Sequence, residues 1–482
     1  MLTRLQVSGF KNLMGVDVRF GPFTCVIGLN GVGKSNLFDA IRFLSVMADK
    51  TFLDAARSVR DDSGRAGDVR ALFHQAGDHP QQPLRFSAEM IVPPTAEDDF
   101  GQTAKALTRL LRYTVELGYV PPSADLPSGG LELLKEELTY LKPAELKRAV
   151  QFDYSPEWFD AAVRPHEVRK SPFVATRAGK SGERQIWLHP DGDHHRLTRL
   201  PAARTPRTVV SRATASESPT AVVAKREMMS WRLYQLEPAA LRRPDDLNAL
   251  PPRPQLELNG AHLPATLYRL ARLATQPDGT PDEDLLYTRV ANRLHELVPD
   301  IKQITVERDE IKRTMTLMAR DRYGVVLPAA ALSDGTLRFL ALTALEVDPE
   351  AVGVICFEEP ENGIHPDRIP AMLALLRAIA ADVELTPGED NPLRQVIVNT
   401  HSPAVLEQVP PAELLAAVPR PLSAAGQQSR GVVFKPMRGT WRAEGLSGRD
   451  LIPPGVLMPY LRRDRESPAE PPGLFSGHPA AL

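Results

Sequence analysis

Polar and apolar positions alternate with period two in three short stretches near the start of the chain, LTRLQV, GVDVRF and FTCVIG, separated by Gly and Asn. Alternation of that period puts every second side chain on one face, so consecutive strands are expected over residues 2–27. The rhythm then changes. In NLFDAIRFLSVMAD, Leu37, Ile41 and Leu44 recur at helical spacing, which gives strand, glycine-rich loop and helix in succession. LRFSAEMIV (84–92) and LRYTVELGYV (111–120) read as further strands. From about 130 to 300 the pattern weakens: prolines are frequent, PAELKRAV suggests a short helix, and no heptad persists, so no long coiled coil is expected. Order returns with strands at IKQITVERD and TMTLMARD, the helix GTLRFLALTALEV, the strand VGVICF, the helix PDRIPAMLALLRAIAADV and the strand RQVIVNT. Strands alternating with helices predict an α/β fold with a parallel sheet.

These shifts divide the chain into an amino-terminal lobe (1–128), an inserted Pro-rich and partly basic region (129–299), a carboxy-terminal lobe (300–420) and a tail (421–482). The last ~20 residues carry few large apolar side chains and are expected to be disordered. A length of 482 residues exceeds one ordinary core, which agrees with a bilobal arrangement. A net charge of −2 excludes a uniformly basic nucleic-acid coat but leaves room for a local basic groove. Such a groove has a candidate. Between Arg164 and Arg212 eleven Lys and Arg stand against four acids, among them Arg196, Arg199, Arg204 and Arg207. A solvated insertion would account for that run, and so would a surface for phosphate backbones. Cys25 and Cys356 lie in apolar runs and read as buried thiols, with no disulfide framework. The opening residues lack a signal-peptide core and no run nears the ~18 apolar residues of a membrane span, so a cytoplasmic protein without a membrane partner is expected.

The chemistry begins at GLNGVGKS, residues 28–35, which fits G-x-x-x-x-G-K-[ST] between a strand and a helix. Glycines there let backbone N–H groups converge on phosphate oxygens, aided by the positive end of the following helix. Lys34 would reach the outer phosphates and Ser35 would ligate Mg2+. A second signal is FEEPENGIHP, residues 357–366, where Glu358 and Glu359 stand together at the end of an apolar run. Paired acids at a buried strand tip are costly unless a cation and a reacting proton engage them. Glu358 would hold Mg2+, and Glu359 would face the terminal phosphate as general base. In LSDGTLRFL (332–340) Ser333 opens a helix. In VNTHSP (398–403) His401 follows a strand, in a position to contact the terminal phosphate.

Taken together, GLNGVGKS, LSDGT, ICFEEPENGIHP and VNTHSP resemble the motif set of ABC-type ATPase heads, and most closely the RecF/SMC/OLD-type AAA ATPases of the AAA_21 group. LTRLQVSGFKNL, WRLYQLEPAALRRP and LNGAHLPATLYRL resemble further segments of that family, so the likeness covers most of residues 1–410. The resemblance implies a P-loop NTPase fold of the ABC head type and a head-to-tail homodimer with two ATP at the interface. Gly28, Asn30, Gly31, Gly33, Lys34, Ser35 and Asn36 would cradle one nucleotide, and Ser333 and Gly335 of the other copy would approach it. Glu358 matches the metal position, Glu359 the catalytic glutamate and His401 the switch histidine. Gln75 and Gln102 are candidates for the family's metal-contacting glutamine. Glu358 stands where Asp is usual, which leaves the choice of Mg2+ or Mn2+ open. An ATP-hydrolysing switch is therefore expected, in DNA repair or anti-phage defence, with DNA and a separate effector protein as candidate partners. A transporter ATPase subunit, or a sensing module with vestigial hydrolysis, is the alternative. Only 81 residues follow His401, without a D-x-D pair, so no nuclease activity is expected in this chain.

Overall fold

The computed structural model describes residues 1–59, 69–74, 82–124, 126, 129–164, 171–179, 183–191, 198–202, 205–276, 280, 282–296, 298–424, 427–453 and 457. Its centre is a six-stranded sheet of β1 (Phe23–Ile27), β2 (Arg232–Tyr234), β3 (Gly353–Glu358), β4 (Arg394–Thr400), β5 (Leu414–Ala424) and β6 (Gln427–Pro436). The spatial order is β2-β3-β4-β1-β5-β6, with the first five strands parallel and β6 antiparallel at the edge. Every residue of β1 and β4, and all of β3 but Glu358, is buried, as befits strands covered on both faces.

A second, antiparallel sheet of eight strands lies beside it. In spatial order these are Thr198–Pro201, Arg184–Leu188, Val174–Ala178, Gly130–Tyr140, Leu110–Val120, Leu84–Ile91, Leu2–Ser8 and Val16–Arg19. Helix α1 (Lys34–Met47) packs on this sheet, with the Phe43 ring 5.8 Å from Phe10 and 5.5 Å from Phe86. On the opposite side a separate core joins β1, β3 and β4 to the helices Leu263–Leu273, Glu283–His295, α2 (Asp334–Val347) and Ile369–Ile379. The fold is the α/β head expected, and no described helix exceeds 14 residues, so none forms a coiled coil. Nor is any described helix long and apolar enough to cross a membrane.

One buried amide clasps the two sheets. Gln395 of β4 accepts from Leu2 N at 2.9 Å and donates to Leu2 O at 2.9 Å and Gly21 O at 2.8 Å. Gln395→Leu would leave three buried backbone groups without this partner and is expected to cost about 2–4 kcal/mol, read as a lower urea midpoint at unchanged slope.

The expected boundaries need correction. The break at 128/129 falls inside a hairpin, because Leu110–Val120 and Gly130–Tyr140 pair from Leu111↔Tyr140 to Val120↔Gly130. Residues 129–299 are no independent insertion: they extend the antiparallel sheet and supply β2 beside β3. The break at 420/421 cuts β5, which pairs with β6 out to Ala424↔Gln427. Pro419 and Pro421 disguised that strand. They are tolerated because pairing with β1 ends at Ala416 and leaves that edge free of ladder bonds. The tail expected to be disordered lies outside the described residues.

Candidate active site

The turn from β1 into α1 is built as a phosphate cradle. Gly31 and Gly33 have φ of +70° and +109°, and a Cβ on Gly33 would lie 2.2 Å from the Asn12 side-chain nitrogen, so only glycine fits. Asn12 braces the loop: Nδ2 donates to Val32 O at 3.0 Å, and Oδ1 accepts from Asn36 Nδ2 at 2.9 Å. Beside it, Lys11 pairs with Asp39 of α1 at 2.8 Å. Among the described residues, the N–H groups of Asn30, Gly31, Val32, Gly33 and Ser35 find no backbone acceptor. Lys34 is 6% exposed, its Nζ donating to Gly28 O at 2.7 Å and Leu29 O at 2.9 Å. Converging amides, a helix N-terminus and one fixed ammonium fit a triphosphate.

Parallel strands end on one edge of the sheet, so the P-loop after β1, the acids after β3 and the histidine after β4 meet there. Glu358 closes β3 with its carboxylate fixed from both sides. Gln235 Nε2 donates to Oε2 at 2.5 Å, and Asn399 Nδ2 donates to Oε1 at 3.3 Å. Glu359 follows with φ +46°, a left-handed conformation that costs a residue bearing a Cβ about 1–3 kcal/mol. Two acceptors on Asn399 hold it there, the main-chain oxygen at 3.0 Å and Oδ1 at 3.1 Å from the Glu359 N–H. The forced turn brings Glu359 Oε1 to 2.7 Å from His401 Nδ1, while Asn362 Nδ2 donates to Oε2 at 2.8 Å. A carboxylate oriented by an imidazole and an amide is equipped to align and deprotonate water. Ser35 and Glu358 suit Mg2+, which takes few protein ligands and fills its shell with water and phosphate oxygens.

Two features depart from what the sequence suggested. Gln235, one residue beyond β2, contacts Glu358 and sits level with it, because Tyr234 is in register with Phe357. It is the glutamine that the fold brings to the acid pair. Gln102 is exposed in the turn between Thr95–Glu97 and Thr103–Lys105, outside the central sheet, and Gln75 lies outside the described residues. The signal was present in WRLYQLEP, a strand-like triplet ending at a glutamine, but three residues are too short a run to declare a strand. Asn399 was likewise missed; a buried polar residue near the end of an apolar strand marks such a position.

Ser333 caps α2, accepting from Thr336 N at 3.2 Å, and is exposed. A Cβ on Gly335 would come within 2.9 Å of Gly363 O, so α2 begins tight against the segment that follows the acid pair. Ser333 thus bonds within its own turn and faces outward, while Arg242 ties that turn to the rest of the chain through Leu332 O and Asp334. P-loop, acids, Gln235 and His401 gather along one edge.

Sheet order and site together define a P-loop ATPase with an ABC-type head, of the RecF/SMC kind. The chain belongs to the AAA_21 family, described as "AAA domain, putative AbiEii toxin, Type IV TA system", whose profile matches residues 23–97 and 192–407. It is similar to mouse structural maintenance of chromosomes protein 1B, 36% identical over 114 residues, which are 23% of this chain and 8% of that protein. It is similar to the DNA replication and repair protein RecF of Porphyromonas gingivalis (strain ATCC 33277), 44% identical over 46 residues, 9% of this chain and 13% of the relative. RecF of Clavibacter sepedonicus is 28% identical over 148 residues, 30% of this chain and 35% of the relative. The chain therefore spans well under two thirds of these relatives. Among solved structures, the SMC head bound to the C-winged helix domain of ScpA is similar at a TM-score of 0.43 and 12% identity, over 91% of this chain and 98% of that one.

Proposed function

We propose that this protein is an ATP-hydrolysing switch that closes as a head-to-tail homodimer around two Mg2+–ATP, each copy lending half of each pocket. The observation that carries this reading is Glu359, held in a strained turn with His401 on one oxygen and Asn362 on the other. Gly28, Asn30, Gly31, Gly33, Lys34, Ser35 and Asn36 hold the nucleotide. Ser35 and Glu358 hold the metal, whose charge steadies the phosphate oxygens. The exposed serine turn supports closure by a second copy, since among the described residues the Ser333 side chain bonds only to Thr336 of α2. Binding energy that bridges two surfaces stabilises the closed form, and hydrolysis releases it. A steady-state ATPase assay tests the reading, and a negligible rate for the unsubstituted chain, equal to that of Glu359→Gln, would favour the sensing module instead.

The output we assign is DNA repair or anti-phage defence, acting on DNA through a separate effector. Support comes from the similarity to the DNA replication and repair protein RecF and from the outer edge of the antiparallel sheet. There the guanidinium carbons of Arg177 and Arg199 lie 4.4 Å and 4.7 Å from the Trp187 ring centroid. Both arginines are exposed and form no ion pair among the described residues, so two oriented cations face solvent. Arg207 lies instead close enough to Lys50 to act on its charge, whereas Arg196 and Arg204 lie outside the described residues. Arg177→Ala combined with Arg199→Ala is expected to weaken duplex retention and reduce the salt slope of binding by about 2. An unchanged slope would remove this edge from the nucleic-acid reading.

A further inference from the structure

The segment FEEPENG carries a third acid with no part in the chemistry so far. Glu361 is 7% exposed, and its two oxygens differ sharply. Oε1 accepts from the hydroxyl of Thr400, a fully buried residue at the end of β4. Oε2 is buried without a hydrogen-bond partner among the described residues. Burial pushes this carboxyl up from its ordinary range, against the Thr400 bond, and the nearby Glu359 charge adds to the rise. A group so placed is expensive unless it fixes something that matters.

What it fixes is Thr400, which is tied in three directions. Its hydroxyl donates to Glu361 while accepting from Ser402 N at 2.9 Å, which shapes the backbone on either side of His401. Its carbonyl accepts from Gly28 N at 3.3 Å, at the first glycine of the phosphate loop. The hydroxyl thus accepts from Ser402 N–H and directs its single proton to Glu361. One carboxyl therefore links the turn that carries Glu359, the loop that carries His401 and the start of the P-loop.

We propose that Glu361 is a positioning residue which, through the Thr400 hydroxyl, sets the loop bearing His401 so that the imidazole meets Glu359. This rests on the hydrolytic reading above and adds a residue to it. The role needs an acceptor at Oε1 and a hydroxyl at position 400. It does not need contact with nucleotide, so turnover responds and nucleotide affinity does not.

The test uses the full chain with ATP and Mg2+. Glu361→Ala and Thr400→Val should each lower kcat about tenfold or more with KM for ATP within about twofold. The double variant should be no worse than either single one, because both remove the same bond. Glu361→Gln keeps an oxygen for Thr400 and should hold kcat within about threefold. Hydrogen–deuterium exchange, measured without ATP, gives a readout independent of turnover. Peptides spanning 399–406 should exchange several-fold faster in Glu361→Ala, while those spanning 34–47 stay unchanged. Additive losses, a matching rise in KM, or unchanged exchange over 399–406 would overturn the assignment. If Glu361→Ala does not fold, Thr400→Val and Glu361→Gln decide by the same criteria. An unsubstituted chain without ATPase activity would overturn the hydrolytic reading alone, and exchange would still decide the role of Glu361.

Discussion

Glu359→Gln should lower kcat by about a hundredfold to ten-thousandfold while ATP still binds. The amide has the shape of the carboxylate but cannot take a proton, and it changes what His401 and Asn362 must donate to. Both partners remain close: Nδ1 of His401 is 2.7 Å and Nδ2 of Asn362 is 2.8 Å from the carboxylate oxygens in the native chain. The variant should therefore accumulate as an ATP-bound dimer, visible as a shift in elution on size exclusion with ATP and Mg2+ present. Glu358→Gln should behave differently, losing affinity for the metal along with rate, because Gln235 and Asn399 hold that carboxylate at the strand end where the proposed function puts Mg2+. A Glu359→Gln chain that hydrolyses at the native rate would remove the general base from the account.

Mixing two inactive variants should restore activity. Lys34→Ala removes the ammonium from one phosphate loop, and Ser333→Arg places a bulky cation at the exposed cap of α2. Alone, each should fall by about a hundredfold or more, since both pockets of either homodimer carry the lesion. In a mixed dimer one pocket combines an intact loop with an intact serine turn. Random pairing makes half the dimers mixed, each with one good pocket of two, so about a quarter of native activity should return. A mixture as inactive as its parts would exclude pockets shared between copies.

Much of this site was legible in the letters because its parts have short, local causes. Glycines at 31 and 33 are required by positive φ, and the lysine and serine follow at fixed offsets on the first turn of α1. The strand ends at Glu358 and Thr400 were marked by unbroken apolar runs. What could not be read were relations across space. Gln235 reaches Glu358 over 123 residues of chain. Its strand has three residues, and its membership of the sheet is set by β3 rather than by its own pattern. The insertion looked separate because prolines and arginines are frequent along it. Three of its strands have only five, five and four residues, too few for a period-two signal to build over residues 174–201. Nothing in the letters FEEPENG sets Glu361 apart, and only burial against Thr400 distinguishes it.

Asn12 belongs to the hairpin turn between Leu2–Ser8 and Val16–Arg19, yet its amide grips Val32 and Asn36. The antiparallel sheet is thus fastened to the phosphate loop through a single side chain seated against Gly33. Asn12→Ala would remove both of its bonds to the loop while leaving residues 28–36 unsubstituted.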